Sequence, residues 1–117
     1  MLILGIDTSG KTASVAICDE KNVIAQTTIL TKLTHSQIIL PMVEKLLSDA
    51  DLTLNEIDAI AVANGPGSYT GLRIGISAVK AMCFTLSKKC AGISTLESLA
   101  FNCIGSKGKI VSLMRAR

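Results

Sequence analysis

The stretch 63–75, ANGPGSYTGLRIG, decides how the rest of the sequence is interpreted. It follows an apolar run at 57–63 that is typical of a buried strand, and it leads into an apolar helical pattern at 70–88. It therefore joins a strand to the amino terminus of a helix. Its glycines permit backbone conformations closed to other residues. Two interpretations stay open: helix-end amides that receive an anion, or a tight connection whose glycines let the helix pack closely on the strand.

The first thirty residues predict an antiparallel meander of three strands. The run 2–7 ends in a turn, and 12–18 and 23–29 then alternate apolar and polar residues. Helices are predicted at 36–51, where Pro41 suggests a kinked or late first turn, and at 70–88.

The remaining predicted elements are a short turn with Thr53 and Glu56 at capping-box spacing, a short extended piece at 90–93, a helix whose capping pair is Ser94 and Glu97, and a last strand at 110–114. If the extended piece at 90–93 is set aside as a possible additional edge strand, the order of the other elements predicts an α/β fold. Its core is a mixed five-stranded sheet with an antiparallel amino-terminal meander and covering helices.

The sequence 5–12, GIDTSGKT, matches the phosphate-binding P-loop pattern G-x-x-x-x-G-K-[ST]. In a P-loop the lysine and the following Ser or Thr begin a helix, because the amides of that helix help to hold the phosphates. Here Thr12 begins a predicted strand. The pattern is therefore interpreted as a chance match.

Three polar residues, Asp7, Thr8 and Ser9, follow the first strand at the predicted hairpin tip. A carboxylate there could orient a phosphate or a metal-bound water, and the same residue types in a turn commonly bond nearby backbone amides. His35 has no second ligand or nucleophile beside it and is expected to be a cap or surface residue. The residues Tyr69 and Arg73 fit either ligand contacts or ordinary packing.

Composition narrows the function classes. The chain has 117 residues, 49% of them apolar, which predicts one domain with a core, and its net charge of +3 is scattered, which disfavours direct nucleic-acid binding. Four cysteines without C-x-x-C spacing indicate buried thiols in a reducing compartment, with neither a zinc site nor a disulfide framework. No signal peptide or membrane span is predicted, so a cytoplasmic location is expected.

The helix predicted at 70–88 has two apolar faces, so it must be covered on both sides. One face meets the sheet, and the other meets either a helix of this chain or a partner protein. Small residues on it would let another helix approach closely. The predicted interface set is Leu40, Met42, Leu47, Gly71, Ile74, Gly75, Ala78, Ala81 and Met82.

Four segments, LGIDTSGKTASVAI, THSQIILPMVEKLL, IDAIAVANGPGSYTGLRIGISAVKAM and GISTLESLA, closely resemble the amino-terminal half of the TsaB (YeaZ) family of glycoprotease-like proteins. The resemblance implies the actin-like ATPase fold shared by sugar kinases, Hsp70 and actin. Residues 1–117 would form the first of two similar domains, with the second absent. It also implies two vestigial phosphate-facing loops, one with Asp7, Thr8 and Ser9 and the other with Gly65 and Gly67.

The same resemblance implies a non-catalytic dimerisation and scaffold subunit for threonylcarbamoyladenosine modification of tRNA. The implied partners are the catalytic paralogue TsaD and the ATPase TsaE, with a homodimer when the protein is alone and tRNA reached through the complex. No cofactor would be required, and ATP or ADP would bind weakly and only with the second domain or a partner present. The alternatives are a glycoprotease-like metallopeptidase and a nucleotide-binding regulatory module.

Overall fold

The computed structural model describes residues 1–30 and 35–94, with side chains described for 1–30 and 36–93. In chain order the elements are β1 (Ile3–Asp7), β2 (Thr12–Cys18), β3 (Val23–Leu30), α1 (His35–Asp49), a 3-10 turn (Leu54–Glu56), β4 (Ala59–Gly65), α2 (Tyr69–Leu86) and β5 (Lys89–Ser94). The helix predicted from Ser94 and the strand predicted at 110–114 lie outside the described residues.

The strands form one mixed sheet in the order β3-β2-β1-β4-β5. The predicted meander β1-β2-β3 is antiparallel, and β4 and β5 add to it in parallel. The predicted five-stranded mixed sheet is confirmed, but the fifth strand is the short piece that the prediction set aside. Because α2 returns the chain beside β4, β5 can bond the backbone groups that β4 would otherwise leave unpaired on that side.

Both helices cover the same face of the sheet. Alternate residues of the strands point into this layer, which produces the strict burial alternation of β1 and β2. The buried cluster that joins sheet and helices includes Leu4, Val15, Ile17, Val43, Ile60 and Val79. None of the helices in the described ranges is long and apolar enough to cross a membrane.

Pro41 lies inside α1 without ending it. The helix begins at His35, so the predicted late start is wrong. It continues through the proline to Asp49. Proline cannot donate a backbone hydrogen bond inside a helix. Its side chain is exposed while Ile39 and Val43 face the core, so the missing donor lies on the solvent side.

The predicted capping box at Thr53 does not form. Thr53 precedes the 3-10 turn, but its hydroxyl lies 3.3 Å from Glu56 Oε1 and makes no cap bond to the backbone. The turn is instead closed by backbone bonds from Glu56 N to Thr53 O and from Ile57 N to Leu54 O. A three-residue turn has too few free amides for a reciprocal cap to be needed.

A matched isoleucine pair tests the position of the core. Ile60 is fully buried, whereas Ile24 on β3 is 45% exposed. Ile60→Ala should lower the free energy of unfolding by about 2–5 kcal/mol, because it removes buried methyl groups and leaves a cavity. Ile24→Ala should cost well under half as much. Urea unfolding of both variants measures the difference, and equal losses would contradict this placement of the core.

Candidate functional site

The two loops predicted to face phosphate lie against each other. The loop from β1 to β2 carries Ser9, and the loop from β4 to α2 carries Gly67 and Ser68. Ser68 N donates a 2.8 Å hydrogen bond to Ser9 O. A Cβ placed on Gly67 would lie 2.7 Å from both Ser9 O and Ser9 Cβ, so only glycine fits there. The two loops are therefore in direct contact through Ser9 and Gly67.

Thr8 is the centre of this contact. It is fully buried, although it is polar. Its hydroxyl donates to the backbone carbonyl of Gly71 in the first turn of α2. A buried hydroxyl needs such a partner, because desolvating it without one is costly. Thr8 thus fixes the loop to the helix and does not project into solvent.

Two glycines of α2 make room for Thr8. A Cβ on Gly71 would clash with the Thr8 carbonyl oxygen, and a Cβ on Gly75 would lie 2.5 Å from Thr8 Oγ1. The expectation that Gly71 and Gly75 let another helix approach is therefore wrong. They are buried because the β1–β2 loop approaches the helix at these two positions.

Asp7 bonds within its own loop. Its Oδ1 accepts from Ser9 N at 2.8 Å and from Ser9 Oγ at 2.6 Å. This is the local backbone bonding that Asp commonly provides in a turn. The phosphate-facing role predicted for Asp7, Thr8 and Ser9 stays a prediction, with the observed bonds using the hydroxyls and one carboxylate oxygen inside the fold.

The turn before α2 depends on Gly65. Its φ of 126° lies in a region that side chains strongly disfavour, so glycine is required there. Ser68 then caps the helix, and its hydroxyl accepts from Gly71 N at 3.2 Å. The peptide bond between Gly65 and Pro66 is cis. The predicted strand-to-helix connection is confirmed in these details.

The predicted interface set divides by exposure. Met42, Leu47 and Met82 are buried inside this chain, as are Gly71 and Gly75, so these five offer little surface to a partner. The physical reason is that both helices lie on one sheet face and cover each other's flanks. The part that remains accessible is Leu40, Ile74, Ala78 and Ala81.

A groove of about 390 Å³ runs between the two helices, and its walls include Leu40, Ile74 and Ala78. Farther along α2, Ala81 continues the same side at helical spacing, and Phe84 lies beside Ala81 at the border of that side. Phe84 is 89% exposed, which is extreme for a phenylalanine. Sequence reasoning missed Phe84, although its distance of three residues from Ala81 was the available signal.

Tyr69 and Arg73 pair with each other at the start of α2. The Arg73 guanidinium carbon lies 5.4 Å from the centre of the Tyr69 ring, which is cation–π distance. Both side chains are exposed. The two side chains stack on each other at the surface, so the Tyr69 ring is not packed into the core.

Among the described residues, no three His, Cys, Asp or Glu side chains cluster in a way that could hold a metal ion. Cys83 is buried as predicted, but Cys18 is half-buried and Cys90 is exposed, so burial of all the cysteines is not what the structure shows. The predicted cap or surface role of His35 concerns a side chain outside the described set. Cys103 also lies outside it.

The mixed sheet, its antiparallel meander and the two facing loops define an α/β domain of the actin-like ATPase class. The family described as "TsaD: tRNA N6-adenosine threonylcarbamoyltransferase" matches residues 22–117. The chain belongs to that family.

Named relatives agree with the TsaB (YeaZ) resemblance, which is confirmed. The Bacillus subtilis tRNA threonylcarbamoyladenosine biosynthesis protein TsaB is 40% identical over the whole chain, which spans 51% of that protein. The Escherichia coli protein of the same name is 38% identical over 86% of this chain and 43% of its own length. The structure of YeaZ from Pseudomonas aeruginosa superposes with a TM-score of 0.81 at 35% identity, covering 91% of this chain and 49% of that one. The chain thus spans about half the length of these relatives.

The contact between Thr8 and α2 can be tested by substituting Gly71, Gly75 and Thr8. Gly75→Ala should destabilise by about 1–3 kcal/mol, since overpacking outweighs the roughly 1 kcal/mol that alanine gains in a helix. In a Thr8→Ala background this loss should largely disappear, because the nearest remaining atom is Val62 Cγ2 at 3.4 Å. Urea unfolding of the four proteins gives the coupling.

Two controls sharpen that cycle. Gly71→Ala should be equally damaging with or without Thr8→Ala, because its clash is with the Thr8 backbone carbonyl. Gly10→Ala should be close to neutral, since a Cβ there meets nothing within 4 Å. Additive effects of Gly75→Ala and Thr8→Ala would show that the helix does not contact the loop through this side chain.

Proposed function

We propose that this chain serves the biosynthesis of threonylcarbamoyladenosine in tRNA as a non-catalytic scaffold subunit. It would associate with the catalytic transferase TsaD, together with the ATPase TsaE, and would form a homodimer when alone. Substrate tRNA would be reached through the complex. Support comes from the relatives named for this biosynthesis and from the family match to the transferase. In this proposal residues 1–117 act as the first actin-like domain of a two-domain architecture, and the complex operates in the cytoplasm.

The observation that carries the proposal is an apolar strip on the helix pair, in which Leu40, Ala81 and Phe84 are exposed and Ile74 and Ala78 are half-buried. Contiguous apolar surface of this kind is uncommon on monomers and marks a site of association. The two alanines keep the α2 backbone close to any neighbour, and the large ring of Phe84 can act as an anchor. The groove beside Leu40 gives a partner helix a place to pack.

A scaffold role also fits the chemistry of the loops. The Thr8 hydroxyl donates to a backbone carbonyl, which cannot act as a general base, and the Ser9 hydroxyl and Ser9 N–H both donate to Asp7 Oδ1 within the turn. A metallopeptidase needs ligands in a cluster, and the part of the chain that the structure describes presents none.

Association should depend on the strip and not on exposed apolar residues in general. Phe84→Glu and Ala78→Arg should each abolish the homodimer and the complex with the transferase, because both place charge in an apolar contact. Light scattering of the chain, alone and mixed with the transferase from the same cell, measures this. Leu30→Glu on β3 is the matched control, since Leu30 is exposed but distant in the sheet order.

Circular dichroism checks that the variants remain folded. The proposed surface would be overturned if the wild-type chain is a monomer that does not bind the transferase. It would also be overturned if Phe84→Glu still associates while Leu30→Glu does not. Modification of tRNA in the reconstituted complex should fall in parallel with association. Unchanged modification without association would overturn the scaffold role.

No cofactor is needed for the scaffold role, and we propose that ATP or ADP binds only weakly and with a second domain or partner present. The loops at Asp7 and Gly67 are packed against each other within this chain, which leaves the second wall of a cleft to another domain. ATP should therefore leave the unfolding temperature of this chain unchanged in a thermal melt. A nucleotide-dependent rise that Asp7→Ala abolishes would instead support the regulatory-module alternative.

A further inference from the structure

Two cysteines meet where α2 ends. Cys83 lies in the last turn of the helix and is only 6% exposed. Its thiol donates to Lys89 O at a sulfur–oxygen distance of 3.6 Å. Lys89 is the first residue of β5, so the Cys83 sulfur reaches the strand one residue before Cys90.

A tight chain reversal produces this approach. Ser87 adopts a left-handed conformation with φ 54° and ψ 41°, and its N–H bonds to Cys83 O. Lys88 N donates to the same carbonyl at 3.0 Å. Left-handed residues commonly end helices in this way and turn the chain back along them. The reversal places β5 directly beside the helix turn that contains Cys83.

The strand register points Cys90 to the same side. Cys90 pairs with Ile60 of β4, and paired residues of neighbouring strands share a face of the sheet. Ile60 is fully buried under the helices, so Cys90 lies on the helix side as well. Unlike Cys83, Cys90 is exposed, because β5 is at the edge of the described sheet.

The two thiols have different chemical settings. Burial raises the pKa of the Cys83 thiol, and the neighbouring charge and hydrogen bond of Cys90 raise it further. A thiol of raised pKa is a poor first nucleophile, since the thiolate is the reactive form. The exposed Cys90 is accordingly the one that meets a dissolved oxidant first.

We propose that Cys83 and Cys90 form a reversible disulfide that responds to peroxide. The Cys90 thiolate attacks one oxygen of hydrogen peroxide, which gives a Cys90 sulfenic acid and, with the thiol proton, one water. The Cys83 thiol then attacks the sulfenic sulfur, forming the S–S bond and releasing a second water. Two thiols lose two electrons, and peroxide gains them. A dithiol reductant reverses the bond by thiol–disulfide exchange.

The bond would join the end of α2 to the edge strand beside it. One end of this disulfide, Cys83, directly precedes Phe84 on the helix. The oxidised protein should unfold at a higher temperature than the reduced protein, because the crosslink restricts the unfolded chain.

The test treats the full chain with hydrogen peroxide, alkylates the remaining thiols and maps tryptic peptides without reduction. The expected product is peptide 81–88 joined to the peptide that begins at Cys90, with the loss of two hydrogens and of two of the four alkylatable thiols. Dithiothreitol should restore all of them. The thermal shift should appear and disappear with the bond.

Variants assign the link. Cys90→Ser should leave Cys83 fully alkylatable after unfolding, and Cys83→Ala should leave Cys90 as a sulfenic acid or a mixed species. Cys18→Ser, in a strand away from β5, and Cys103→Ser, which removes the other thiol of the same tryptic peptide, should both retain the link. The proposal is overturned if Cys90 joins Cys103, or if Cys90 is oxidised while Cys83 stays reduced in the wild-type chain.

Discussion

The contact between Thr8 and the first turns of α2 is the constraint on which the rest of the domain depends. Gly71 and Gly75 lack side chains where the loop backbone and the Thr8 hydroxyl must pass, and Gly67 does the same for Ser9. The helix can therefore lie directly on β1 and β4. Any side chain at these positions would lift the helix from the sheet and open the layer that contains Ile60 and Val79.

This contact also determines what the loops offer to chemistry. The Thr8 hydroxyl is bonded to the Gly71 carbonyl, and the Ser9 hydroxyl is bonded to the Asp7 carboxylate. In this chain Thr8 stabilises the contact between the β1–β2 loop and α2, and the phosphate-facing role of the loops stays a prediction.

Much of the fold followed from local patterns. Period-two alternation identified β2 and β3, and the start of a strand at Thr12 argued from sequence against a P-loop. The fifth strand was harder, because β5 is six residues long and its partner lies across a helix. Its place depends on the reversal at Ser87, where a non-glycine residue adopts a left-handed conformation that no sequence rule singles out.

The residues of the two loops were named from the sequence, but the contact between the loops was not predicted. Glycine at 71 and 75 indicated a close approach, and the sequence could not say whether the approaching group was a helix or the Thr8 loop. Phe84 was missed because the two apolar faces of α2 already accounted for the core, although its spacing of three residues from Ala81 places it beside them. Burial of Met42 and Met82 likewise depends on how the two helices meet, which is a tertiary property.

The strand order has a consequence for how the chain reaches this state. The central strand β1 pairs with β2 only a few residues away but with β4 more than fifty residues later in the chain. Short loops close at a smaller entropic cost than long ones, so the meander β1-β2-β3 can assemble from local contacts alone. During synthesis it also leaves the ribosome first. One edge of β1 then stays unpaired until β4 is added to the sheet. Asp58, just before β4, bonds to the residue before β1: its carboxylate accepts from Leu2 N, and its own N–H donates to Leu2 O.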